Sequence, residues 1–225
     1  MNFLRKIALI ASVSTCFAAN AALIQVSQGG TVLGTIESYY GTDSAADNYN
    51  NNKYPTIGPA AATDAFHAFF YENPVDGMTA NFFFTGNEIN PDDNKQAKAD
   101  VVASTSGDAS VLFSDEPHEF VESTTDPDNF IGSWWYLNDL ADGAAMGGLE
   151  GLWSVSFTFT QVDPTFTSFF AYGSDGNSLA VDPTQTILFS AIPSTSANSV
   201  NSPSVLLMFG LASMLIGVRR FKTAK

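Results

Sequence analysis

The sequence is poor in cysteine and in basic residues. It contains one cysteine among 225 residues, Cys16, which lies in an N-terminal stretch that is expected to be removed on export. We therefore expect the mature chain to hold neither a disulfide nor a thiol, although export would permit disulfides. Between Ala22 and Ser204 there is no arginine, and 23 acidic residues face three lysines, for a net charge of −20. This charge disfavours binding to nucleic acid or anionic lipid and makes divalent cations natural partners. The three lysines are Lys53, Lys95 and Lys98.

Sustained helical periodicity is also missing. No long stretch combines good helix formers with apolar residues at a spacing of about 3.6. The best candidates for a turn or two of helix are Ala60–Ala68 and Leu137–Met146. The polar stretches Thr42–Pro59 and Asn87–Lys98 are predicted to be loops, because Asn, Asp, Gly and Pro favour turns.

Short strands with one wet face fill most of the remaining chain. In Trp153–Thr160, aromatic and aliphatic residues alternate with Ser and Thr, which is the pattern of a half-buried strand. The 15 phenylalanines between Ala22 and Pro193 are expected to form much of the core. Together with intervening turn signals, the pattern predicts an all-β fold, an antiparallel β-sandwich or jelly roll over residues 22–193. The other predicted strands are Leu23–Ser27, Thr31–Glu37, Phe66–Glu72, Met78–Thr85, Ala99–Ser104, Ala109–Ser114, Ile131–Leu137, Phe166–Tyr172 and Thr186–Ile192.

The first 21 residues have the three parts of a signal peptide. Arg5 and Lys6 give a positive tip, Ile7–Ser14 is apolar, and Ala19-Asn20-Ala21 fits a small-x-small cleavage site. This predicts export by the Sec machinery and removal of residues 1–21 by signal peptidase, so that the mature chain begins near Ala22. The stretch ending at Cys16 is also a loose lipoprotein signal, which would make that cysteine a lipidation site.

The other end of the chain combines a linker, an apolar run and a basic tip. Residues 194–202 are rich in Ser and Asn and are predicted to be a linker. A helix from Pro203 to Phe221, capped by Ser202, would be about 28 Å long and would match a hydrocarbon core of about 30 Å. We therefore predict one C-terminal transmembrane helix, with the basic tip on the cytoplasmic side and the β domain outside. The alternative, a buried C-terminal helix, lacks the expected polar face. The basic tip contains Arg219, Arg220 and Lys222.

These C-terminal features resemble a PEP-CTERM protein-sorting segment. The resemblance covers about 25 of the 225 residues, and Ser202 stands where that family has Glu. It implies that an exosortase-like enzyme reads the segment, and that the protein is either anchored in the inner membrane, facing the periplasm, or processed to the cell surface. A role in an extracellular matrix follows from the same resemblance, while the absence of cysteine from an exported β-protein points to a bacterial source. The motif position is filled by Asn201, Ser202, Pro203 and Ser204.

Calcium is the cofactor that the acidic turns favour. The stretch Asp126-Pro127-Asp128-Asn129 offers three side-chain oxygen donors, from Asp126, Asp128 and Asn129, and oxygen ligands are what Ca²⁺ prefers. Asp92-Asp93-Asn94 and Asp175-Gly176-Asn177 offer smaller sets. The alternative is a solvated turn in which Asp and Asn stabilise the backbone.

Motifs for catalysis are scarce, so no catalytic residue is predicted. His118-Glu119 starts like a zinc HExxH motif, but position 122 is Glu. His67 is expected on the wetter face of its strand. Trp134-Trp135-Tyr136 suggests either a sugar-stacking surface or one Trp in the core, and the core is favoured because neighbours in a strand face opposite ways.

Three functions follow from these observations. The preferred one is an exported, surface- or matrix-associated, non-enzymatic β-sandwich protein, sorted or anchored through its C-terminal segment. The second is a calcium-assisted module that binds extracellular polysaccharide. The third is a secreted hydrolase that uses His67 or His118.

Overall fold

The structure, a computed structural model, describes residues 22–50, 56–60, 64–77, 79–87, 97–106, 108–136, 141–164 and 166–193. The predicted signal peptide, linker, sorting motif, membrane span and basic tip lie outside these residues. Within them, no helix has the length and apolar character that crossing a bilayer requires. The elements are β1 (Leu23–Gln28), β2 (Thr31–Glu37), β3 (Tyr39–Tyr40), α1 (Ala45–Asn50), β4 (Ala65–Glu72), β5 (Ala80–Asn87), β6 (Ala97–Thr105), β7 (Ser110–Ser114), β8 (Phe120–Glu122), β9 (Asn129–Tyr136), β10 (Ala141–Leu149), β11 (Ser154–Val162), β12 (Ser168–Tyr172), β13 (Ser178–Ala180) and β14 (Ile187–Ile192).

The described strands form two sheets. Sheet I has the order β2-β1-β14-β11-β6-β9-β8, and all its neighbours are antiparallel. Sheet II has the order β13-β12-β4-β5-β10-β7, with β3 also paired to β4. In sheet II, β12 and β3 both run parallel to β4. The all-β prediction is confirmed, and each of the ten predicted strands overlaps a strand of the structure.

The core lies between the inner faces of the two sheets and is rich in phenylalanine, as predicted. Phe84 of sheet II contacts Phe157 of sheet I with ring centroids 4.6 Å apart. Phe82 and Phe189 meet across the same interface at 5.3 Å. Aromatic pairs of this kind stabilise a core beyond the area that they bury.

A second hydrophobic cluster covers the outer face of sheet II. It joins Tyr49 of α1 to Phe69, Tyr71 and Phe83 of the sheet. The hydroxyl of Ser44 accepts a hydrogen bond from the Asp47 amide, which caps α1. The Asp76 carboxylate, from the turn after β4, accepts a second one from the Ala45 amide at 2.8 Å. The middle strands of sheet II, β4, β5 and most of β10, are therefore buried on both faces.

Three local predictions are wrong. The described residues of Ala60–Ala68 and Leu137–Met146 form the starts of β4 and β10 rather than helical turns. Helix α1 lies inside the predicted loop Thr42–Pro59. β4 is buried along its whole length, so its start does not show the alternation of a half-buried strand, although Phe66–Glu72 was correctly predicted as a strand.

Candidate functional site

The predicted calcium turn is held together by its own hydrogen bonds. The Asn129 side-chain amide donates to Asp126 Oδ2 at 2.6 Å, and the Asp128 amide donates to Asp126 Oδ1 at 3.2 Å. Ser104 Oγ donates to Asn129 Oδ1. Asp126 and Asn129 are brought together, while Asp128 is exposed beside them. The oxygens are therefore grouped as in a stabilised Asp-Asn turn.

The described part of the chain holds no larger cluster of metal-binding side chains. No group of three or more His, Cys, Asp or Glu side chains is placed there to hold a metal ion. Asp175 and Asn177 repeat the same turn, with the amide donating to the carboxylate at 2.5 Å. Asp92-Asp93-Asn94 lies outside the described residues. Calcium binding at Asp126, Asp128 and Asn129 stays a prediction.

His67 lies in a buried position, and its expected place on a wet face is wrong. The side chain is 1% exposed, because it points to the outer face of sheet II that other segments cover. Its ring meets Tyr172 edge-on at 4.9 Å. Burial lowers the pKa of His67 to about 4, so the ring is neutral at pH 7. A general base works best when its pKa lies near the operating pH, which His67 does not satisfy.

The other two sequence candidates are placed as follows. His118 is exposed in the turn between β7 and β8, with a backbone φ of 77°. Trp134 is fully buried, and its ring centroid lies 5.2 Å from that of Phe84. The favoured prediction of one Trp in the core is thus confirmed for Trp134. The side chains of Trp135 and Tyr136 lie outside the described part of the chain.

Asp142 and Glu119 form a carboxyl pair that was not predicted from the sequence. Asp142 on β10 is 7% exposed and accepts a hydrogen bond from the Gly143 amide at 2.7 Å. Burial, and then the charges of Glu119 and Asp115, raise the pKa of Asp142 to about 8. Burial also raises the pKa of Glu119. Asp142 therefore keeps its proton at pH 7 beside the Glu119 carboxyl group.

This pair does not have the geometry of a glycoside hydrolase. Such enzymes hold their two carboxyl groups about 5 to 9.5 Å apart, with the sugar between them. Asp142 is buried beside Glu119 rather than open to a cleft. The pair instead joins the loop between β7 and β8, where the chain crosses from sheet II to sheet I, to β10 of sheet II.

The outer face of sheet I is the broad surface that the described residues leave uncovered. We call it the hydroxyl face. Side chains on it are linked to one another: Thr158 and Thr186 share a hydrogen bond of 2.7 Å, and Ser133 donates to Asp100 at 2.6 Å. Seven strands at about 4.8 Å spacing give it a width of about 30 Å. Its residues include the ion pair Lys98–Asp100, the half-buried Ser104, Asn129, Ser133, Ser154, Ser156, Thr158 and Ser190, and the exposed Val121, Ile131 and Leu188.

Comparisons with known proteins assign no family. The chain matches no protein-family model, no curated protein and no solved structure. The resemblance of residues 201–225 to a sorting segment therefore stays a prediction. A functional proposal has to be argued from this chain's own residues.

Proposed function

We propose that this chain is an exported, non-enzymatic, surface- or matrix-associated β-sandwich protein, sorted or anchored through its C-terminal segment. The observation that carries the proposal is the contrast between the two outer faces. The middle of sheet II is covered by α1 and its hydrophobic cluster, whereas the outer face of sheet I presents hydroxyl, amide and charged groups with exposed apolar side chains among them. A broad, open surface that mixes polar and apolar side chains suits contact with a hydrated matrix better than enclosure of a small substrate.

The route to that location is part of the proposal. Signal peptidase and the Sec machinery act on residues 1–21, and the span from Pro203 to Phe221 holds the domain on the outer side. An exosortase-like enzyme is the expected partner of the motif at Asn201–Ser204. The net charge of −20 between Ala22 and Ser204 keeps the domain soluble and away from nucleic acid.

Fractionation of bacteria that express the full chain tests this proposal. We expect the full chain in the membrane or matrix fraction, and a chain ending at Pro193 in the soluble periplasm. Arg219→Glu with Arg220→Glu is expected to weaken retention, because the basic tip sets the orientation. Lys53→Glu with Lys95→Glu is the control with the same change of charge. Full and shortened chains that are both soluble would contradict the anchor.

A calcium-assisted polysaccharide-binding module is the second candidate. It is favoured by one contact: Asn129 of the predicted calcium turn is bonded to Ser104 on the hydroxyl face. A bound cation would then lie at the edge of that face, where it could bridge to sugar hydroxyls or carboxylates.

Titration calorimetry with CaCl₂ and co-sedimentation with an anionic polysaccharide test the second candidate. We expect heat of binding that Asp126→Asn with Asp128→Asn abolishes, and polysaccharide binding that a chelator reverses. Asp108→Asn, at an exposed loop position, is the control. Absence of heat, together with a melting temperature that chelator does not shift, rejects this candidate.

A further inference from the structure

A buried carboxylate lies at the start of the first strand. Glu72 at the end of β4 is 7% exposed, and its Oε1 accepts hydrogen bonds from Ser38 Oγ at 2.5 Å and from the Ala22 nitrogen at 2.9 Å. Ala22 directly precedes β1, and its carbonyl accepts from the Ser38 amide at 3.0 Å. The start of the described chain is thus fixed against both sheets.

The surroundings of the Ala22 nitrogen suit an ammonium better than an amide. The nitrogen lies 2.8 Å from Ser38 Oγ as well as 2.9 Å from Glu72 Oε1. A peptide nitrogen has one hydrogen and has to share it between the two acceptors. An α-ammonium group has three, and could give one to each acceptor with a third left over.

The lack of a nearby positive side chain also favours an ammonium group beside Glu72. Within the described ranges, Glu72 forms no ion pair with a Lys, Arg or His side chain. A buried carboxylate without a positive partner is costly. An adjoining cavity of about 230 Å³ is lined by Ala22, Glu72, Thr79, Glu150 and Trp153. It leaves room for water at the third hydrogen, beside a second carboxylate.

We propose that cleavage between Ala21 and Ala22 creates an α-ammonium group that forms an ion pair with Glu72. This inference rests on the proposed export. Signal peptidase adds water across the peptide bond, which leaves a carboxylate on Ala21 and an amine on Ala22. The amine takes a proton at neutral pH, because its ordinary pKa is about 8. Processing therefore supplies the positive charge that Glu72 lacks, and completes the fold of the domain.

The position of the Ala21–Ala22 peptide bond determines whether cleavage or the docking of β1 comes first. Ile24 and Val26 of β1 are fully buried, and β1 pairs with both β2 and β14. A peptidase that binds its substrate in an extended form cannot reach a bond one residue from this strand once β1 has docked. Cleavage comes first, and the released ammonium then docks together with β1.

Melting experiments on four chains test the ion pair. Two of the chains start at Ala22 and run to Lys225; they are released from a fusion by a protease that leaves no extra residue. The other two carry an added Gly-Ser before Ala22. Each is made with Glu72 and with Glu72→Gln. With Glu72, we expect the extension to lower the melting temperature by about 5 °C near neutral pH. With Glu72→Gln, we expect the extension to change it by less than about 1 °C.

The controls separate this pair from general charge effects. Glu37→Gln removes an exposed carboxylate on the strand beside Ala22 and should leave the effect of the extension unchanged. The difference between the two Glu72 chains should also disappear near pH 10, where the amine loses its proton. If Glu72→Gln does not fold, that pH dependence decides. An equal effect of the extension in both backgrounds, or one that persists near pH 10, overturns the ion pair.

Sequencing the N-terminus of the exported protein tests the processing step. A start at Ala22 supports the inference, and a start at any other residue overturns it. Membrane fractionation can fail without affecting either result, so failure of the anchor and failure of the ion pair are distinguishable.

Discussion

Asp142 shows how a single residue couples stability to pH. Its pKa is raised to about 8 in the folded chain by burial and by Glu119 and Asp115, against about 3.9 in an unfolded chain. Between these values the folded state binds more protons than the unfolded state. The free energy of unfolding therefore falls as pH rises through this window, and the contribution of Asp142 is lost above about pH 8.

We expect Asp142→Asn to stabilise the protein at high pH and to have little effect at low pH. The side-chain amide that replaces the carboxyl group keeps a hydrogen-bond donor beside Glu119 and has nearly the same shape, but it cannot ionise. At about pH 9 the melting temperature should rise by about 5 °C, and at about pH 4 it should change by less than about 1 °C. Calorimetric melting at the two pH values measures this. Asp108→Asn, at an exposed position, should show no such pH-dependent gain. A loss of stability for Asp142→Asn at both pH values would contradict a protonated Asp142 in the folded state.

Sequence predicts the residues whose partners are local. The Asp126–Asn129 turn was found because its hydrogen bonds span three residues. Glu72 meets Ser38 and Ala22 across 34 and 50 residues, and such contacts depend on strand order. The same is true of Asp142 and Glu119, which meet only because the loop after β7 passes β10.

At the scale of elements, alternation identifies a strand most clearly when one of its faces is wet, although β4 and β5, which are buried on both faces, were also predicted. β11 was predicted because Val155 and Phe157 are buried while Ser154 and Ser156 are half-exposed. β10, which was not predicted as a strand, lies inside sheet II beneath the second hydrophobic cluster. β10 is moreover built from Ala and Gly, and Gly143 lies against the Phe84 carbonyl where a Cβ would not fit. Close backbone approach selects these small residues, and they carry no strand signal.

Helix α1 was missed because its stabilisation comes from elsewhere in the chain. A six-residue helix is not stable alone. Its position depends on Asp76, from the turn between β4 and β5, and on the contact of Tyr49 with Phe113 at 4.5 Å. Neither partner can be identified from the stretch Thr42–Pro59, which by itself is typical of a loop.

At the scale of the whole molecule, charge and architecture oppose each other. The sandwich brings together a chain that carries −20 between Ala22 and Ser204. Lys98 forms an ion pair with Asp100, with Nζ and Oδ2 2.6 Å apart. Few positive charges are therefore left to offset the remaining acidic residues. Mutual repulsion of surface carboxylates therefore reduces the free energy of unfolding, and salt screens it over about 10 Å at 0.1 M.

We expect the melting temperature to rise by about 5 °C between about 10 mM and 0.5 M NaCl, because screening relieves this repulsion more in the compact state than in the expanded one. A variant with Asp43→Asn, Asp108→Asn and Glu122→Gln, all at exposed positions, should melt higher than the parent at low salt and depend less on salt. Sucrose at matched osmolality controls for general exclusion effects and should act equally on both proteins. A melting temperature that is flat or falling with NaCl would show that ion pairing outweighs repulsion, which three lysines against 23 acids do not favour.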